Sequence, residues 1–195
     1  MVRLFKNTMQ SSSFSSFSSL SSFVGAFPRL GFSGSRLRGS GAAASCLAFL
    51  PAAAGFSAPV GVGCARGVDA LVRGRFPAAE VFRVQAPVSR GAFAARSARL
   101  VRWVASGSGL LVAFPAGAAP AGLRPSQRFA GHGSGTWGSV ALALGLGAAV
   151  LVVVPAAADQ GFPAPAAVAA RFRLAGPAPC GGSLWLAPAV APSLF

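Results

Sequence analysis

The chain has no tyrosine, one histidine, one lysine and three acidic residues among its 195 positions. Each scarcity removes a class of chemistry. The lone histidine, His132, has no second histidine and no nearby carboxylate in sequence, which argues against a His-based metal centre and a Ser-His-Asp triad. Cys46, Cys64 and Cys180 are an odd count at wide spacing, without a C-x-x-C pair. That disfavours a structural zinc site and a disulfide framework, and it suits a reducing, cytoplasmic compartment. No metal and no cofactor are expected. No G-x-x-x-x-G-K-[ST] run occurs, which disfavours a Walker-type NTPase, and no G-x-G-x-x-G follows the first expected strand. The N-terminus lacks a continuous apolar stretch, so a secretory signal is not expected.

What is present is positive charge and apolar bulk. Seventeen basic residues against Asp69, Glu80 and Asp159 give a formal net charge of +14. That balance favours polyanionic partners: nucleotides, DNA, RNA or an anionic membrane. All but Lys6 of the basic residues are Arg, and Ala, Gly and Pro are abundant. A GC-rich coding bias produces the same composition without selection for binding. Taken to its limit, it would describe a spurious frame with no fold. Hydrophobic types make up 53% of the chain, enough for a real core in one domain with tails.

In chain order, residues 1–22 form a Ser-rich tail expected to be disordered, although a Ser-rich, acid-free start is also how an organelle transit peptide reads. Leu30 to Ser33 reads as the first strand, followed by a turn at Gly34-Ser35-Arg36. Ser40 caps a helix over 42–50. Val60 to Gly63 reads as the second strand, and Val68 to Arg75 as a helix with Asp69 in its first turn, where a carboxylate suits the helix dipole. Glu80 to Val84 alternates as a third strand. A helix over 92–105 carries Arg96, Arg99 and Arg102 on one side, either as a phosphate-binding row or as a solvated face. Leu110 to Phe114 is a continuous apolar strand of the kind buried on both faces. A long Pro/Gly/Ala loop over 116–132 reads as a lid, a binding loop or a disordered insertion.

The stretch from Gly133 to Val154 organises the rest. Small residues at Gly133-Ser134-Gly135-Thr136 open a helix, Gly147 ends it, and Ala149 to Val154 is a buried strand. The uncharged run from Gly133 to Ala158 is long enough to span a membrane. Gly145, Gly147 and Pro155 break it, and a helix followed by a β-branched strand explains them better. Residues 161–195 read as an Ala/Pro-rich tail, or as two short edge strands at 172–174 and 183–186.

Alternating strands and helices imply an α/β fold with a mostly parallel sheet of about five strands. Such sheets bind ligands at the carboxyl ends of their strands, where small residues and helix N-termini admit an anion. Gly34, Ser35, Gly63, Ala65, Gly67, Gly133, Ser134, Gly135 and Thr136 meet that need, and Arg36, Arg66 and Arg96 can bond phosphate. Asp69 reads as a helix stabiliser more than as an acid or base. Trp137 reads as a packing residue or as a stacking surface for a base.

The motifs Gly31-Phe32-Ser33-Gly34-Ser35-Arg36, Gly63-Cys64-Ala65-Arg66-Gly67-Val68-Asp69, Arg96-Ser97, Leu111 to Pro115 and Gly133-Ser134-Gly135-Thr136 stand in an order that resembles the SLOG superfamily. That group includes the DNA-processing protein A family, the Lonely Guy phosphoribohydrolases and small stand-alone members. The resemblance covers residues 29–155. It implies a Rossmann-like three-layer fold over 23–160 that binds nucleotide or single-stranded DNA or RNA phosphates through the residues just named, Asp69 included. Homodimers are common among similar folds. In the phosphoribohydrolase pattern a Glu cleaves the N-glycosidic bond, whereas Ser139 stands at that position here. The expected function is therefore binding without catalysis, with N-glycosidic hydrolysis as the alternative.

Overall fold

Four apolar runs, at residues 30–34, 60–63, 110–114 and 149–154, supply the frame, because uncharged segments buried on both faces pair most readily as parallel strands between helices. The structure is a computed structural model and describes residues 17–37, 39–156, 162–179 and 181–190. It comprises α1 (Phe17–Gly25), β1 (Leu30–Gly34), α2 (Gly41–Phe49) with a 3-10 turn at Leu50–Ala53, β2 (Val60–Gly63) and α3 (Val68–Arg75). These are followed by β3 (Glu80–Phe82), α4 (Arg90–Ser106), β4 (Leu110–Phe114), α5 (Gly135–Gly145) and β5 (Ala149–Val154). The chain then adds α6 (Ala166–Ala169), β6 (Arg173–Pro177) and β7 (Ser183–Ala187).

The strands form one sheet in the order β3-β2-β1-β4-β5-β7-β6. The first five are parallel, with Phe32 in register with Val62 on one side and Val112 on the other. β7 runs antiparallel to β5, and β6 antiparallel to β7. Side chains alternate between two cores. Phe32, Val62, Val112 and Leu151 pack with α1, α2 and α3, whereas Leu111, Ala113, Val150 and Val152 pack with α4 and α5. The two helical layers follow from the strand period of two.

The sheet has seven strands rather than about five, because the segment after α6 is not a tail. β7 is largely buried and pairs with β5 from Val150–Ala187 to Val154–Ser183, so it lies inside the sheet, and of this pair β6 alone is an edge, opposite β3. The Ser-rich segment also departs from the expected disorder. Residues 17–22 belong to α1, whose Leu20 and Val24 lie four apart and are buried against the 3-10 turn and its neighbours. The expected tail over residues 1–16 and the residue Asp159 lie outside the described residues. β3 stops at Phe82, short of Val84. The long apolar run divides into α5, a turn with Gly147 at φ +74° and β5. No helix among the described residues is long and apolar enough to cross a membrane.

Candidate functional site

β1 and β4 are neighbours, yet the chain leaves them toward opposite edges of the sheet, through α2 to β2 and through α5 to β5. A crevice opens at the carboxyl ends of strands where the direction of winding reverses in this way. Here it is a cavity of about 1260 Å³. Three segments build its walls.

The first is the loop after β1. Ser35 N donates to Phe114 O at 3.3 Å, and Ser35 O accepts from Val68 N at 3.0 Å, so the loop is tied to β4 and to α3. Its Oγ accepts from Leu37 N at 3.1 Å. Gly34, Ser35, Arg36 and Leu37 all line the cavity, and the Arg36 guanidinium stands 4.9 Å from the Phe93 ring centroid.

The second wall is the start of α5. Ser134 caps it, with Oγ accepting from Trp137 N at 3.3 Å, while Ser134 N donates to Gly131 O at 2.8 Å. The amides of Gly135 and Thr136, the first two helical residues, have no acceptor within the helix. They lie at the cavity, at the end of the helix that carries about half a positive charge. Trp137 borders the cavity but leaves almost none of its ring accessible. It is buried, and its indole N–H donates to Gly117 O at 2.9 Å, pinning the long loop to the helix. Ser126 N to Ala141 O at 3.0 Å, buried Leu123, and Phe129 against Gly138 pin the same loop further. The stretch expected to be a lid or a disordered insertion is packed.

The third wall is the N-terminal part of α4. Ser89 caps it through Ala92 N at 3.1 Å, and Arg90, Phe93, Ala94, Arg96 and Ser97 line the cavity. Arg96 is buried. Its Nη1 donates to Asp69 Oδ2 at 2.7 Å, and the same oxygen accepts from Ala65 N at 3.1 Å. Arg96 Nε is a buried donor with no partner among the described residues. The guanidinium crosses the space beside Gly63, where an added Cβ would stand 1.3 Å from Nη1. Only glycine allows that approach.

The G-x-A-R-G-x-D loop therefore divides from the rest of the expected site. Gly34, Ser35, Arg36, Asp69, Arg96, Gly133, Ser134, Gly135 and Thr136 line one cavity, but Gly63, Ala65, Arg66 and Gly67 do not. Their work is structural. Gly67, at φ +62°, turns the chain into α3 with its Cα close to Ser35 O, and Arg73 donates to Gly63 O at 2.6 Å and to Ala65 O at 3.0 Å. Arg66 is exposed outside the cavity. The Arg row on α4 also splits, because Arg99 donates to Arg83 O and Arg102 is exposed, leaving only Arg96 at the cavity. Sequence reasoning missed Leu37, Val88, Ser89, Arg90 and Phe93. Ser89, three residues before Ala92, carried a legible cap signal, which would have moved the start of α4 to the cavity.

Acid–base groups are scarce here, whereas the hydroxyl residues Ser33, Ser35, Ser89, Ser97, Ser134 and Thr136 line the cavity. Among the described residues Asp69 is the one carboxylate lining the cavity, and it is engaged by Arg96 and Ala65. Ser139 is buried in α5 and donates to Gly135 O at 3.0 Å. Burial, and secondarily the charge of Asp69, push the Cys46 thiol up to about 12, so it stays protonated at neutral pH. No set of three His, Cys, Asp or Glu residues that could hold a metal ion occurs among the described residues. The arrangement presents hydrogen-bond donors and positive charge, which is chemistry for holding an anion. No family model, no curated protein and no solved structure matches this chain.

Proposed function

We propose that this cavity binds the phosphate of a nucleotide or of a single-stranded nucleic acid, and that the protein is a non-catalytic, Rossmann-like member of the SLOG type, akin to DNA-processing protein A. The observation that carries the reading is the convergence, at one switch point, of the α5 amides, the tethered loop after β1 and buried Arg96. An anion drawn against these groups gains charge-assisted hydrogen bonds without reorganising the walls. The order β3-β2-β1-β4-β5 matches the first five strands of a doubly wound dinucleotide-binding sheet. Binding is favoured over N-glycosidic cleavage because cleavage needs a carboxylate at the sugar, and Asp69 is held in an ion pair while Ser139 is buried.

Thermal unfolding of the full chain with nucleoside monophosphates and with a short single-stranded DNA, at low and moderate salt, tests the reading. A ligand that binds only the folded state raises the melting temperature. A rise with at least one phosphate-bearing ligand is expected. A rise with DNA alone that fades steeply with salt would place the function with nucleic acid. No rise with any of them at low salt would refute phosphate binding.

A further inference from the structure

The two edges of the sheet are finished differently. β6 shifts its register between Leu174 and Gly176 and ends at Pro177, a bulge and a proline that blunt an edge against further pairing. β3 has neither device. It pairs with β2 in unbroken register from Gly61–Glu80 to Gly63–Phe82, and no strand among the described residues lies on its other side. Alternate amides and carbonyls of its backbone therefore point away from the sheet.

Cations flank that edge on both faces. On one face Phe82 packs with Trp103 of α4, ring centroids 5.8 Å apart, and Arg99 and Arg102 are neighbours of Trp103 on the same helix. Arg99 donates to Arg83 O, just past the end of β3. On the other face Val81 and Phe76 pack on the opposite core, and the Arg75 guanidinium lies 5.7 Å from the Phe76 ring centroid. Arg75, Arg83 and Arg102 are exposed. Of the acids nearby in the chain, Asp69 is already paired with Arg96, and Glu80 opens the strand. None of Phe82, Arg83, Arg99 and Arg102 lines the cavity, so this surface is separate from the site described above.

We infer that the β3 edge takes up an extended segment of another protein that alternates acidic and apolar side chains, adding it to the sheet as a further strand. Main-chain hydrogen bonds supply the pairing, and alternate side chains supply the selection. On the α4 face acidic side chains meet Arg99 and Arg102, and on the opposite face apolar ones extend the surface of Val81. The same cations repel a second copy of this edge, so the charge that prevents self-pairing selects an acidic partner. A nucleic-acid strand fits less well. Its bases need open aromatic faces, and the Trp103 and Phe76 rings already carry the Arg29 and Arg75 guanidinium groups, 4.7 and 5.7 Å from their centroids. Its phosphates are acceptors only, and they give the outward carbonyls of β3 no donor.

Fluorescence anisotropy of a labelled short peptide alternating Glu and Val, titrated with the full chain at low salt, tests the inference. Saturable binding is expected, weakened about tenfold or more when Gln replaces Glu in the peptide, because several ion pairs are lost at once. Methylating one alternate set of peptide amides should abolish binding, and methylating the other should change it by no more than about threefold, since a paired strand turns every second amide outward. Arg102→Glu, at an exposed side chain, should weaken the peptide about tenfold. Arg124→Glu makes the same change of net charge on an exposed residue of the long loop, and should leave binding within about twofold. Equal tolerance of both methylated peptides would overturn strand addition. Equal losses with the two Arg variants would reduce the attraction to net charge and overturn the location. A single-stranded oligonucleotide that displaces the peptide and loses affinity only with Arg102→Glu would overturn the peptide in favour of nucleic acid. No binding of the Glu–Val peptide would refute the inference outright.

Discussion

Arg96 brings a charge into a buried position where Asp69 is the acid that balances it. Removing one partner of such a pair strands the other, and that costs far more than the pair contributes. Asp69→Asn should lower stability by about 3–5 kcal/mol in urea unfolding. Arg66→Ala, three residues earlier on an exposed side chain, should change it by less than about 0.5 kcal/mol. An Asp69→Asn variant as stable as the parent would remove the brace described here. The sequence made Arg66 and Arg96 equal candidates for phosphate, since type and loop position were all it offered. It also made Gly63 a phosphate cradle, whereas its missing side chain admits the Arg96 guanidinium. Which partner uses a glycine's space is a three-dimensional fact that no local pattern records.

At the scale of elements, α5 links the core to the candidate site. Its body is buried because Val140, Ala141, Leu142 and Ala143 meet β4 and β5, while its first turn opens on the cavity. Ser134→Ala removes the cap and should cost about 1 kcal/mol, a fall in melting temperature of roughly 2–4 °C for a chain of this size. An unchanged melting temperature would show that tertiary contacts alone hold that turn. Strands β1, β2, β4 and β5 and helices α2 and α3 were legible in the sequence because each is a short apolar or capped segment bounded by Gly or Pro. Helix α1 was not, because Ser-rich composition outweighed the spacing of Leu20 and Val24. The antiparallel pair β6 and β7 was legible only as one of two readings, since its register depends on β5, far away in sequence. The start of α4 was placed two residues late, and that hid the wall bearing Ser89 and Arg90.

Across the whole molecule, the net charge of +14 is not one binding surface. Arg29, Arg73 and Arg99 donate to backbone carbonyls, while Arg36, Arg90 and Arg96 gather at the switch point. On the proposed reading, the chain's positive field would draw anions toward it in general, and the cavity would fix where one is held with directed hydrogen bonds. The central claim is therefore positional, and amide chemical shifts of the ¹⁵N-labelled full chain, titrated with ribose 5-phosphate, test it most directly. The expected result is a saturable response largest at the amides of Gly135 and Thr136, with Ser35 and Arg36 next and Arg66 unmoved. Shifts scattered over exposed Arg residues, or centred on the loop around Arg66, would contradict it.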